Sequence, residues 1–334
     1  MTARPTIALA GCGAVTTRYY LPALASLRDR VDVAGLFDSD TARAQEIARH
    51  FPTARVADSF EGLLGVGASI VILASPPAAH AVQAIAALRA GSHVLCEKPL
   101  ASSAAEAVAM AAAAIEYNRL LCVNMVRRHF PASGLVEKLI ANDSMGSLRS
   151  IAVFEGGPFR WPIRDQSYFS RAVSGGGVLA DVGTHVVDLL TGWFGQAEFI
   201  AYHDDAMGAV EANALLALRF RGAPATIRLS RDWGRPNLIE LTFEKGRVRW
   251  RPEPMHAVEV TFDGEPPLRL EDEAARAFAF VDCFTAQITT MLDHMAGRPA
   301  RLVTAQQAVP TVALIERAYT GRQLMEMPWL EVAQ

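Results

Sequence analysis

Cysteine is scarce. Four residues, Cys12, Cys96, Cys122 and Cys283, are spread through 334 with no Cys-x-x-Cys pair among them, which suggests neither a disulfide framework nor a zinc knuckle. Reduced thiols in the cytoplasm are the expectation. Long apolar runs are also missing, since none reaches the roughly 20 residues that a bilayer-spanning helix needs. Met1-Thr-Ala-Arg-Pro-Thr6 leads straight into an apolar stretch, without the charged, apolar and small-residue zones of a signal peptide. Charge of one sign is not in excess either. A net charge of -3 with dispersed arginines gives no field suited to a polyanion, so neither nucleic acid nor a membrane is an expected partner. Arg247, Arg249 and Arg251 alternate as a strand does and read as a solvated face. Internal repeats, linkers and low-complexity tracts are absent.

What is present is a chain able to build substantial cores. With 334 residues and 51% hydrophobic content, two domains are expected. Residues 6–10 read as an apolar strand, followed by Gly11-Cys12-Gly13-Ala14-Val15-Thr16 and a helical stretch toward Leu27. This is the order of a dinucleotide-binding turn: one glycine makes the bend, and the next lets the backbone approach a pyrophosphate at a helix N-terminus. Thr16 departs from the Gly or Ala expected at the third position. Residues 31–37 read as a second strand ending in Asp38, whose carboxylate can accept from adenosine ribose hydroxyls and, with Asp40 nearby, repel a 2′-phosphate. NAD is therefore the expected cofactor, and Arg43 on the next helix leaves NADP open. Asp38 also suits the N-cap of a helix over 41–50, and the two roles are compatible.

Strand and helix keep alternating through residues 69–74, 78–90, 92–96, 102–117 and 120–124. The alternation implies a parallel, doubly wound sheet occupying residues 1–123, with its ligand crevice at the carboxyl ends of the strands. Ser75, Pro76, His80, Glu97 and Lys98 all fall at such ends. His80 alone reads first as a helix-capping histidine. Pro99 biases Lys98 toward an extended backbone. A lysine partly desolvated beside a cofactor can exchange protons near neutrality; an exposed lysine paired with Glu97 is the competing reading.

Downstream, Gly175-Gly176-Gly177 precedes a short helical stretch. At about 100° per residue, Asp181, Thr184, His185 and Asp188 share roughly one third of the circumference, opposite Val182, Val186, Leu189 and Leu190. Taken alone, that polar face is either solvated or a site. No second histidine stands in register with it, so a metal ion is not expected.

Together these pieces resemble the glucose-fructose oxidoreductase, inositol dehydrogenase and rhizopine-catabolism (Gfo/Idh/MocA) family. The matching elements are Gly11-Cys-Gly13 with Leu21-Pro-Ala-Leu24, Ser75-Pro-Pro-Ala-Ala-His80, Ala90-Gly-Ser-His-Val-Leu-Cys-Glu97-Lys98-Pro99-Leu and Gly175-Gly-Gly-Val-Leu-Ala-Asp181-Val-Gly-Thr-His185-Val-Val-Asp188. The Glu-Lys-Pro and Asp-x-Gly-x-His elements carry more specificity than the glycine turn. The resemblance implies a nicotinamide-dependent dehydrogenase or reductase acting on a sugar, cyclitol or nucleotide-linked sugar, with Lys98, Asp181 and His185 as the catalytic set. Hydride transfer at a carbinol carbon requires a proton to move on or off the oxygen. His185 or Lys98 could carry it, and Asp181 could orient the imidazole or pair with Lys98.

In residues 124–334, strand-like runs recur at 198–203, 212–220, 225–230, 238–243, 247–250 and 257–262, which predicts a largely antiparallel sheet. The family's second domain is an open sheet that backs the substrate site and often serves oligomerisation, so a homo-oligomer is implied. Two helices follow, over 272–296 and from a capping box at Thr304 and Gln307. In the first, Phe278, Val281, Phe284 and Ile288 form a stripe expected in the core. Arg160, Trp161, Arg164 and Tyr168 lie in an aromatic loop that could bind a sugar ring or an anionic group, or pack over the sheet. Arg128 at the domain junction is a further substrate candidate. Two other functions fit the same fold: a non-catalytic NAD-sensing regulator, and an NAD-assisted glycosidase or epimerase.

Overall fold

The computed structural model describes residues 4–163 and 166–326. The first six strands are β1 (Thr6–Ala10), β2 (Asp32–Phe37), β3 (Arg55–Val56), β4 (Ile70–Leu73), β5 (His93–Cys96) and β6 (Leu121–Val123). They form one parallel sheet in the order β3-β2-β1-β4-β5-β6. Helices α1 (Leu21–Ser26), α2 (Thr41–Ala48), α3 (Phe60–Leu64), α4 (Pro77–Arg89) and α5 (Ala104–Glu116) connect them. Every residue of β4 and β6 is buried, as a parallel sheet covered on both faces requires. The order reverses between β1 and β4, so the crevice opens beyond their carboxyl ends. The helical stretch after the glycine turn is less regular than its sequence suggests: a π-type turn, Thr16–Tyr20, precedes α1.

Helix α6 (Pro131–Ala141) leads to β7 (Leu148–Gly156), then α7 (Arg171–Ser174), a π-type turn at Leu179–Gly183 and α8 (Thr184–Phe194). Strands β8 (Ala197–Asp204), β9 (Asn213–Phe220), β10 (Ala223–Ser230), β11 (Leu238–Phe243), β12 (Gly246–Trp250), β13 (Ala257–Phe262) and β14 (Leu268–Glu271) follow. Helices α9 (Phe280–Met295) and α10 (Ala305–Thr320) and strand β15 (Arg322–Leu324) end the described chain. The second sheet has nine strands in the order β14-β13-β12-β11-β7-β10-β9-β8-β15. It is antiparallel except where β7 meets β10 and β8 meets β15. Burial alternates along β9, β10 and β12, so one face packs on helices and the other is open.

The helix expected over 272–296 is interrupted. A 3₁₀ turn, Glu273–Ala275, comes first, and α9 starts only where the Asp282 carboxylate accepts the Ala279 N–H at 2.8 Å. The acids at 271–273 resemble a helix start, but two of them are engaged with Arg276 instead. Helix α10 begins at the Thr304–Gln307 capping box as expected. It packs on α5 of the first domain, and the Val303 carbonyl accepts from Val123 N at 2.8 Å, so the end of the chain returns to the first sheet.

Candidate active site

A cavity of about 760 Å³ lies between the crevice of the first sheet and the helix-covered side of the second. Its nucleotide end is built by the first βα turn. Gly11 has φ 95°, and a Cβ there would strike the backbone of Ala74 and Ser75, whereas a Cβ at Gly13 would meet nothing within 4 Å. One glycine is thus locked against β4 while the other leaves room for a ligand, and Ala14 and Val15 line the same wall. Thr16 fits without loosening this turn because its buried hydroxyl donates to the Gly11 carbonyl at 2.6 Å.

Asp38 sits at the end of β2 with its carboxylate held by Cys12 N at 2.7 Å and Asp40 N at 2.9 Å. Cys12 therefore contributes its backbone, while burial pushes its thiol up to about 12. Arg43 lines the cavity nearby but pairs with Asp40 at 3.1 Å. Ser75 and Pro76 line the cavity too, the Ser75 hydroxyl donating to Gln83 Oε1 at 2.6 Å. His80, a candidate with Ser75 and Pro76 for the cofactor crevice, does not line the cavity. It is fully buried behind the wall, its ring nitrogens 2.9 Å from the Ser75 and Pro99 carbonyls, where it ties two crevice loops together.

At the other end, Glu97 and Lys98 follow β5, the π-type turn Leu179–Gly183 delivers Asp181, and the first turn of α8 delivers His185. Lys98 Nζ donates to the Asp181 carbonyl at 3.1 Å and to its carboxylate Oδ1. The other carboxylate oxygen is met by Arg231 from beyond β10 and by the Tyr168 hydroxyl at 2.7 Å. Asp181 pairs with Lys98, then, and makes no hydrogen bond to His185 among the described residues. Burial, with Arg231 and Arg127 adding like charge against Glu97, lowers Lys98 to about 8. Burial and the charges of Lys98 and Arg127 likewise hold His185 well below the ordinary histidine value, which leaves its imidazole neutral at pH 7. Behind Lys98, the Glu97 carboxylate accepts from Tyr20 at 2.9 Å and Asn124 at 2.6 Å, and burial raises its pKa.

The substrate candidates divide. Trp161 and Tyr168 line the cavity, Trp161 stacking on Tyr19 with centroids 6.2 Å apart. Arg160 is exposed and does not line it, and Arg164 lies outside the described residues. Phe284 does more than the expected core packing, because it and Phe280 also form cavity wall. Arg128 turns away from the cavity: its guanidinium is bidentate on Asp188, at 2.7 and 2.9 Å, and also donates to the Asp188 carbonyl. Asp188 is 1% exposed, so removing its partner strands a buried charge. Arg128→Ala is expected to cost about 3–5 kcal/mol, measured as a lowered urea midpoint, while substrate and cofactor KM stay within twofold. Tyr20, Asn124, Arg127 and Arg231 were not singled out from the sequence. They are isolated residues on separate elements, and only folding joins them.

A doubly wound dinucleotide domain facing an open mixed sheet, with a lysine, an aspartate and a histidine converging between them, defines the class of a two-domain nicotinamide-binding protein. Residues 6–125 match the model described as "Oxidoreductase family, NAD-binding Rossmann fold", and residues 135–249 match the GFO/IDH/MocA C-terminal domain. The chain belongs to the Gfo/Idh/MocA family. Among similar proteins, levoglucosan dehydrogenase of Pseudarthrobacter phenanthrenivorans is 29% identical over 211 residues, covering 52% of each chain. The dTDP-3,4-didehydro-2,6-dideoxy-alpha-D-glucose 3-reductase of Saccharopolyspora spinosa is 30% identical over 179 residues, 54% of this chain and 53% of that one. The chain thus spans about half the length of these curated relatives. In fold it resembles the WlbA dehydrogenase of Bordetella pertussis, solved with NADH and UDP-GlcNAcA, with a TM-score of 0.84, 22% identity and 96% of both chains covered.

Proposed function

We propose that the protein is an NAD(P)-dependent oxidoreductase acting at a hydroxyl or keto carbon of a sugar, cyclitol or nucleotide-linked sugar. One observation carries the reading: Lys98, Asp181 and His185 line the same cavity as the Gly11–Val15 cradle and Asp38. The names of the relatives, a levoglucosan dehydrogenase and a nucleotide-sugar 3-reductase, support the same substrate class. The cradle fits the cofactor, since Gly13 leaves space at a helix start and Asp38 presents a fixed carboxylate. Bound there, a nicotinamide would supply or accept the hydride.

The side chains handle the proton. His185, neutral at pH 7, accepts it from a substrate hydroxyl, and Lys98 in its ammonium form holds the same oxygen as negative charge develops. Asp181 keeps the ammonium in place, and Arg231 and Tyr168 fix the carboxylate. Trp161 and Tyr168 offer aromatic surface to a sugar ring.

NAD is the preferred form in this reading, because Arg43 is already engaged by Asp40. Asp38→Ala is expected to lower kcat/KM for NAD by about 10- to 100-fold, the scale of losing hydrogen bonds to a charged acceptor. NADP should be affected far less, and steady-state kinetics with both forms would measure the change in ratio. The function itself is tested by following nicotinamide absorbance over a panel of polyols, sugars and nucleotide-linked keto-sugars with NAD(H) and NADP(H). Tight NAD binding with no turnover across the panel would favour a sensor. Product formation without net NADH would favour an epimerase or glycosidase.

A further inference from the structure

The helix that carries Asp181 and His185 begins in an unusual way. Its first intrahelical bond is Asp181 N to the Gly177 carbonyl, at 3.0 Å, which leaves the four preceding N–H groups without helical partners. All four are met by two residues from distant elements. Gly177 N and Leu179 N donate to the two carboxylate oxygens of Glu211 at 3.0 and 2.9 Å, and Val178 N donates to the Glu211 carbonyl at 3.0 Å. Ala180 N donates to the Tyr319 hydroxyl at 3.2 Å, and that hydroxyl donates in turn to Glu211 Oε1 at 2.7 Å.

Both residues are held firmly. Glu211, 4% exposed, lies in the β8–β9 connection, where Asp205 accepts from the next two N–H groups, of Ala212 and Asn213, each at 2.9 Å. Tyr319 comes from α10, with the Arg171 guanidinium 4.4 Å above its ring. The contact is so close that glycine is required. A Cβ on Gly177 would lie 2.7 Å from Glu211 N and 2.8 Å from its Cδ, and one on Gly176 would run into the Tyr319 ring. The clamp holds the first two residues of the π-type turn Leu179–Gly183, Asp181 follows directly, and Lys98 reads its position through the Asp181 carbonyl as well as the carboxylate.

We infer that Glu211 and Tyr319 are positioning residues for catalysis. The clamp sets the axial register of the turn, and with it the placement of Asp181 against Lys98 and of His185 in the cavity. A carboxylate suits this task because it accepts at both oxygens, whereas an amide would turn a donor toward one N–H. Its negative charge also favours the helix N-terminus. The inference rests on the functional reading above insofar as activity reports it, so the test includes a readout that needs no turnover.

Glu211→Gln and Tyr319→Phe are compared with the full-length wild-type protein. Each is expected to lower kcat about 5- to 30-fold, to leave the NAD(H) dissociation constant within twofold, and to move the alkaline limb of the pH–rate profile to lower pH as Lys98 loses its Asp181 contact. The double variant should fall no further than the worse single variant, since both act through one clamp. Independently of activity, the His185 imidazole resonances, assigned with His185→Ala, should shift in both variants. If Glu211→Gln fails to fold, Tyr319→Phe decides the matter. Folded variants with unchanged His185 resonances overturn the inference, and so does turnover within twofold of wild type with an unmoved pH profile. A wild type that turns over no substrate, with the resonances still shifting, would sink the functional reading and leave the clamp standing.

Discussion

His185→Ala is expected to lower turnover by two or more orders of magnitude while the NAD(H) dissociation constant stays within twofold. The size follows from removing the group that takes the substrate proton, for which general acid–base contributions run about 10²–10⁴-fold. The selectivity follows from geometry: the cradle at Gly11–Val15 and the Asp38 carboxylate belong to the first sheet, whereas His185 stands at the start of α8. The pH dependence has a defined sign. Burial, Lys98 and Arg127 depress the imidazole well below its usual value, so in the direction of alcohol oxidation its base form persists through neutral pH and is lost only in acid. Stopped-flow and steady-state kinetics over a pH series would check both points. Near-wild-type turnover in the alanine variant would remove His185 from the mechanism.

Lys98→Met should be at least as damaging, and it should also erase a feature of the pH profile. With its pKa lowered to about 8, chiefly by burial, Lys98 loses its ammonium proton as pH rises past that value. Wild-type kcat/KM for ketone reduction is therefore expected to decline above about pH 8, whereas the residual rate of the variant should be flat there. The same depression has a stability consequence. A lysine near 10.4 in the unfolded chain and near 8 in the folded one binds more protons unfolded between those values, so stability rises with pH through that window. Below pH 8 the full penalty is present, about 3 kcal/mol at most on the scale of 1.36 kcal/mol per pKa unit. Urea titrations at pH 7.5 and 9.5 should show this rise in the wild type and not in Lys98→Met. A variant that keeps the alkaline limb would assign it to another group.

Much of this was legible from local pattern. The parallel sheet announced itself because strand and helix alternate through residues 6–124, and β4 and β6 are buried on both faces as such a sheet requires. The second sheet did so because short strand-like runs recur between turns such as Arg221-Gly-Ala-Pro224 and Glu244-Lys-Gly246. Residues carried on a motif, such as Lys98 after Glu97 and His185 after Asp181, could be found by spacing. Residues brought in singly could not: Arg231 follows a strand, Glu211 precedes one, and Tyr319 belongs to a helix whose apolar pattern gives no hint of a hydroxyl reaching Ala180 N. Arg128 was misplaced for the opposite reason. Its position at the junction suggested a ligand, but the Asp188 carboxylate, itself buried, had the stronger claim on it. The break before α9 was hidden because acidic residues followed by an apolar stripe look the same whether the helix begins at 272 or eight residues later.

The return of Val303 and Thr304 to the rim of the first sheet bears on how the molecule is made. Strand β6 is three residues long, and its outer edge is covered by Val303 and Thr304, while α10 closes over α5. During synthesis the nucleotide-binding half emerges with that edge open and an alanine-rich helix face bare, and both wait for more than half of the chain. A polypeptide cut after residue 125 would present an unpaired apolar edge of the kind that adds foreign strands, so it should self-associate. The last helix thus completes the packing of the half that carries the dinucleotide cradle, although no residue of α10 lines the cavity itself.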